Sequence, residues 1–350
     1  MHDEAAIEEQ IRRRYHQPKG VEQFGVEPIP EEKKTVRGLD IFSIIFGLCL
    51  SPGSIMVGGL AVVSGLSFVG AVAAITLGMA IAVIPYTIMA TVGVDYGLPG
   101  QVGTRMAYGL RGAKWIPSLI RTIASIYWFA FQTVAGSIAL VAVLERWTGA
   151  HFSLISVSLC FAVLQALVAI VGYNSLKHLS RLALPFKLGI LGYALVLMAT
   201  NPDPHFGPAA VLGYAGTSKG TLLVFITWVN VLAANSLTMV TDSADFCRYT
   251  RSRWDMWWGT TAGKLGGAFF SGVLGAYAAA ATMGQTANMF QVVAGLSTWW
   301  LPLLAFVVVI ALDNWTINVL NLYTGGLSLL NIVERLGRFW STLIISVLGI

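Results

Sequence analysis

A long apolar stretch interrupted in its middle constrains this chain more than any other feature. Residues 39–68 are almost wholly apolar, yet Ser51-Pro52-Gly53-Ser54 stands at their centre. Proline has no backbone N–H to give and clashes with the preceding turn, and glycine loosens a helix further. In hydrocarbon, a broken helix leaves peptide groups without partners. Such a break survives only where it is buried in protein or lines a wet cavity. Half-helices that meet near the bilayer midplane are a recurrent way to hold a solute or an ion. The sequence therefore predicts a sheltered, wet site around Ser51, Gly53 and Ser54.

Composition places that stretch in a membrane. Only 11% of the residues are charged, against roughly 25% in a soluble domain, and the mean hydropathy is +0.71. The expectation is an all-α polytopic membrane protein. Cys49, Cys160 and Cys247 lie in or beside apolar segments with no paired spacing, so neither a disulfide framework nor a zinc site is expected. The net charge of +5 comes from short loops between apolar runs and is no nucleic-acid footprint. The sequence contains no phosphate loop, metal cluster or nucleophile–base pair, which argues against ATP-driven transport and against a membrane enzyme. The partners this leaves are the lipid bilayer and a small molecule; no cofactor and no obligate protein partner is indicated. Residues 1–38 are polar and charged and carry no signal peptide. They read as a partly disordered cytoplasmic tail, in which Arg12, Arg13 and Arg14 either touch anionic headgroups or are merely solvated. The remainder, 39–350, reads as one transmembrane domain.

About 20 apolar residues cross a bilayer. Spans are predicted near 39–66, 69–93, 116–144, 153–172, 181–200, 220–241, 257–282 and 299–330, with a ninth opening near 338. The basic residues test this division. With the N-terminus inside, the inner segments hold seven Lys/Arg in the tail, then Arg105, Arg111 and Lys114, Lys177 and Arg181, Arg248, Arg251 and Arg253, and Arg335 and Arg338. The outer loops hold Arg146 and Lys219. This is the positive-inside asymmetry, and it indicates a multi-pass protein of the cell membrane with a cytoplasmic N-terminus. Residues 284–298, mildly apolar and uncharged, are expected to form a short helix over the outer mouth.

Four places carry candidate chemistry. Asp313 stands inside span eight, where a carboxylate costs about 2.5–3.5 kcal/mol on insertion scales. It reads as an ion, proton or substrate site, or else as a polar knot with Asn314 or Asn318. Thr316 shares its helix face. The hydroxyls of Thr316 and of Ser51–Ser54, with carbonyls freed at the break, would suit sodium; a lone threonine commonly bonds its own backbone instead. In span three, Trp128 and Gln132 are one turn apart and point the same way. They form either a stacking platform with a polar edge for a flat heteroaromatic ring, or a packed tryptophan beside a glutamine that joins helices. In span six, Asn235, Ser236 and Thr238 mark a second place where a helix either unwinds or is held to a neighbour. Lys264 and Asp40 are expected to snorkel at span ends, and Arg105, Arg111 and Arg121 to act as orientation anchors.

Several stretches resemble one transporter family. These are Gly97-Leu98-Pro99, Arg105-Met106-Ala107-Tyr108-Gly109, Trp115-Ile116-Pro117 and Trp128-Phe129; Met56, Gly59 and Gly65-Leu66-Ser67-Phe68; Ala244-Asp245-Phe246-Cys247-Arg248-Tyr249; and Trp315-Thr316-Ile317-Asn318 with Leu322-Tyr323. In order and spacing they are similar to nucleobase:cation symporter family 1, which includes the bacterial cytosine and purine-cytosine permeases. The resemblance implies a LeuT-type inverted-repeat fold with helices one and six discontinuous. It also implies uptake of a nucleobase or related ring compound, coupled to sodium or a proton, by alternating access. It would make Trp128 the stacking residue, with Ser125 and Gln132 as polar positions one turn to either side. Asn235, Ser236 and Thr238 would line the span-six break, Gly53 and Ser54 the span-one break, and Asp313 and Thr316 the ion and substrate face of span eight.

Two departures from the family pattern matter. Ile317 stands where a second hydroxyl is frequent, which removes a sodium ligand and points toward a proton carried by Asp313. Asn235-Ser236 stands where an aromatic is common, which implies a more polar or larger solute than cytosine. Allantoin, hydantoin, thiamine or an amino acid on the same fold is the alternative. Family members carry more spans than this sequence, so a fragment that does not itself transport is a further implication.

Overall fold

The computed structural model describes residues 2–19, 21–171, 173–218 and 221–350. Of the loop charges counted above, Lys219 lies outside the described residues, as does the side chain of Lys177. All regular structure among the described residues is helical, apart from one isolated bridge between Val36 and Thr250.

The N-terminal helix α1 covers His2–Arg14. The interrupted first span is two helices, α2 (Gly38–Cys49) and α3 (Pro52–Val63), which meet at 52°. Two long helices follow, α4 (Phe68–Tyr96) and α5 (Leu119–Thr148), and then α6 (Leu154–Val171) and α7 (Tyr173–Ala199). The sixth span is again divided, into α8 (Thr221–Leu237) and α9 (Asp242–Cys247). The chain then forms α10 (Arg253–Ala281), α11 (Met289–Leu296), α12 (Trp300–Ile332) and α13 (Gly337–Gly349). A helix stands at every span position expected from the sequence.

These helices are not equally membrane-like. Segments Phe68–Tyr96, Arg105–Thr148, Arg181–Ala199 and Trp300–Ile332 are each long and apolar enough to cross a membrane, and the bent pair α2–α3 is a fifth if taken as one span. Over the described residues, Leu154–Leu167 and Thr221–Leu237, at the spans expected near 153–172 and 220–241, are shorter apolar helices.

Proline's place in the first break is other than expected. Pro52 is the first residue of α3, where a missing N–H costs nothing. Leu50 and Ser51 make the actual interruption, and Ser51 Oγ accepts the Ser54 N–H at 3.2 Å as an N-cap. The half-helix α3 then runs against α10 in backbone contact. A Cβ on Gly275 would lie 1.8 Å from the Ile55 carbonyl oxygen, so only glycine permits this approach.

The N-terminal segment is folded where a partly disordered tail was expected. Ile11, Tyr15, Phe24 and Ile29 form a small buried cluster. The segment also answers a buried need of the helix bundle: fully buried Arg248 donates to the carbonyls of Gly25 and Glu27, each at 3.0 Å. Arg12 and Arg13 pair with Glu9 of their own helix. The short helix expected at 284–298 is α11, capped by Asn288. It buries Met289, Phe290, Val292, Val293 and Ala294, so it is part of the packed core.

Candidate functional site

The two interruptions face one another across α5. Gly53, at the start of α3, lies so close to Gln132 of α5 that an added Cβ would sit 2.6 Å from its Oε1. That oxygen is buried and accepts no hydrogen bond among the described residues. One turn earlier, Trp128 Nε1 donates to Thr238 Oγ1 at 3.3 Å, and Thr238 in turn donates to the Asn235 carbonyl at 2.7 Å. Trp128, Gln132, Ser54, Asn235 and Ser236 line one narrow cavity, with Cys49, Met239 and Lys264 beside them. A second cavity shares Cys49, Ser54, Met79, Leu232 and Asn235 with the first, so the two lie side by side next to the breaks, as the two parts of one chamber wall.

The span-six break lies later than the sequence suggested. Asn235 and Ser236 are in the last turn of α8. The chain leaves the helix over residues 238–241, where Met239 and Val240 bond three residues back rather than four. Asn235 and Ser236 therefore reach the cavity from an intact turn, and Thr238 supports Trp128 from the break itself.

Ser125 stands apart from this chamber. It is fully buried against α12, where a Cβ on Gly325 would meet the Ser125 Cβ at 2.6 Å. The face of α5 turns enough over one helical turn to separate it from Trp128. Ser51 is likewise engaged as the α3 cap, 2.9 Å from Ser54 Oγ.

Asp313 and Thr316 are together, but a lysine of the chain is already between them. Lys187 Nζ, on α7, lies 2.8 Å from Asp313 Oδ1 and donates to Thr316 Oγ1 at 3.2 Å. The same ammonium stands near the first span: a Cβ on Gly47 would be 3.8 Å from it. Asp313, Thr316 and Lys187 are all buried. Thr316 also bonds its own backbone at the Leu312 carbonyl, 2.7 Å away. The polar knot expected around Asp313 forms without it: Asn318 donates to Gln165, Asn314 and Thr133, and Gln165 donates to Asn314 at 3.0 Å. This ladder joins α5, α6 and α12.

Two residues read as peripheral are central. Arg121, expected as an orientation anchor, is buried and forks onto both oxygens of Asp242 at 2.6 Å, while also donating to Thr324 at 2.8 Å. It fastens α9 to α5 and α12. Lys264, expected to snorkel, is buried on the chamber wall, 3.3 Å from Ser236 Oγ and 4.4 Å from the centre of the Tyr86 ring. Asp40 is buried too and caps α2 by accepting the Arg37 N–H at 3.1 Å. Lys187 and Lys264 carried a legible signal: each stands inside an apolar stretch, and the cost argument applied to Asp313 applies equally to them.

This arrangement has known counterparts. Residues 28–350 match the family described as permease for cytosine/purines, uracil, thiamine, allantoin. The chain belongs to that family. It is therefore a multi-pass membrane protein of a transporter family, not an enzyme. The allantoin permease of Bacillus subtilis (strain 168) is 29% identical over 242 residues, 65% of this chain and 49% of that one. The hydantoin permease of Microbacterium maritypicum is 25% identical over 298 residues, 79% and 58% of the two chains. The cytosine permease of Escherichia coli (strain K12) is 26% identical over 312 residues, 88% and 69%. The chain spans about half the length of the first two. Among solved structures, Mhp1, a nucleobase-cation-symport-1 family transporter in a closed conformation with bromovinylhydantoin bound, superposes with a TM-score of 0.77 at 19% identity, over 93% of this chain and 73% of that one. A Na+-coupled sialic acid symporter superposes with a TM-score of 0.71 at 10% identity, over 98% and 76%. The fold is that of the LeuT-type transporters, with its first and sixth helices broken as the sequence implied.

Proposed function

We propose that this chain forms the solute-binding part of a permease that moves a nucleobase-like ring compound across the cell membrane by alternating access. The observation that carries this reading is the chamber at the two helix breaks. Trp128 offers a flat face, and the unpartnered Gln132 Oε1 and nearby Asn235 offer polar edges. A ring stacked on the indole would satisfy Gln132 Oε1 with a ring N–H. The family's range and the allantoin, hydantoin and cytosine permeases among the relatives agree with such a solute. In this reading, Gly53, Ser54, Ser236 and Thr238 shape the chamber around it, and the N-terminus is cytoplasmic, as the loop charges favour.

Coupling to a proton is favoured over coupling to sodium. Asp313 and Thr316, the oxygens that would hold sodium, surround the Lys187 ammonium instead. A cation tethered to the protein leaves no need for a free metal ion there. Proton exchange at the Lys187–Asp313 pair would alter the charge that binds α7 to α12 beside the first break. The test is thermal stabilisation of the purified chain by a panel of ring compounds, with and without sodium and across pH. The expected result is stabilisation by a ring compound that depends on pH, not on sodium, and is lost in Trp128→Ala. Sodium-dependent stabilisation would overturn the coupling assignment; a shift untouched by Trp128→Ala would overturn the site.

A further inference from the structure

Lys264 is buried, positively chargeable and has no carboxylate within ion-pair distance among the described residues. On α9, both Asp242 oxygens are held at 2.6 Å by the Arg121 fork. Asp245, also on α9, accepts the Gly100 N–H at 2.8 Å. The groups that do touch Lys264 are neutral: the Ser236 hydroxyl and the face of Tyr86. A cation over an aromatic ring recovers only part of what it costs to bury an ion without a counter-charge. An ammonium also has three N–H donors, and Ser236 takes one.

Lys264 lines the same chamber as Trp128, Gln132 and Asn235. An occupant of that chamber would meet a flat aromatic face, an acceptor oxygen at Gln132 and a positive nitrogen at Lys264. We infer that the solute is an anion: a planar nitrogen heterocycle that gives an N–H to Gln132 Oε1 and places an ionised oxygen, such as a ring carboxylate, on Lys264 Nζ. The inference rests on the chamber being the solute site, as proposed above. It narrows the solute from ring compounds in general to acidic ones. It also gives the lysine a reason to stay buried, since the arriving solute supplies the missing counter-charge.

Matched pairs of probes separate charge from shape. Uracil and uracil-6-carboxylate, and hypoxanthine and urate, are titrated against the whole chain in lipid nanodiscs. The expected result is that the anionic member of at least one pair binds ten times more tightly than its neutral partner. In Lys264→Met that ratio should fall at least tenfold, and in Lys264→Arg it should persist. The ligand-free melting temperature of each variant reports whether it is folded. Equal or tighter binding of the neutral members overturns the inference while leaving the ring-transport reading in place. An anion preference that survives in folded Lys264→Met overturns it as well. If no ring compound of either charge binds, this inference and the proposed function both fall.

Discussion

Lys187 and Lys264 are almost equally hidden, 1% and 3% exposed, yet their surroundings are opposite. Lys187 has Asp313 at 2.8 Å and the Thr316 hydroxyl at 3.2 Å. Lys264 has a hydroxyl and an aromatic face but no carboxylate in ion-pair distance among the described residues. The first has its counter-charge within the protein. The second is unmatched there, and it stands on the wall of the chamber. Within one apolar bundle, a charge that is matched by the protein holds helices together, whereas a charge left unmatched is free to recognise something else.

The comparison breaks most visibly at Asp313. Asp313→Ala strands the Lys187 ammonium, and a stability loss of about 3–5 kcal/mol is expected. Chemical denaturation in detergent would read it. A loss below 1 kcal/mol would mean that Asp313 is not the counter-charge of Lys187. The double variant Lys187→Met with Asp313→Leu removes both charges at similar volume and should recover most of that loss, to within about 1–2 kcal/mol of the parent.

At Lys264 the sign reverses. Lys264→Met removes an unmatched buried charge, so the ligand-free protein should gain about 1–3 kcal/mol. A destabilisation like that of Asp313→Ala would show that Lys264 has a structural partner after all. The smallest expected effect is at Ser236. Ser236→Ala deletes one charge-assisted hydrogen bond from Lys264 and should cost about 1.5 kcal/mol in stability, measured in the same denaturation series.

The sequence carried the architecture because lipid enforces it. Apolar runs, loop charges and the Ser51–Ser54 interruption each report a physical demand of the bilayer, and the helices stand where those runs lie. Local chemistry was legible where one residue type is costly on its own: Asp313 in a span, and Trp128 with Gln132 one turn on. Other features were not legible, because sequence spacing does not say which face of a helix meets which neighbour. Ser125 and Trp128 are three residues apart, yet one packs on Gly325 and the other on the chamber. Arg121 and Lys264 read as edge charges until the bundle placed Asp242 against the first and left the second alone.

Apolar runs long enough to cross as helices, with one of them interrupted, thus make this chain a membrane bundle with a sheltered break in its first span, since an open break in hydrocarbon leaves peptide groups unsatisfied. Packing set how the charges are partnered: Asp313 with Lys187, Asp242 with Arg121, and Lys264 with no carboxylate in ion-pair distance among the described residues. Those choices join residues more than a hundred positions apart. They depend on helix rotation and crossing, which packing fixes and local sequence does not.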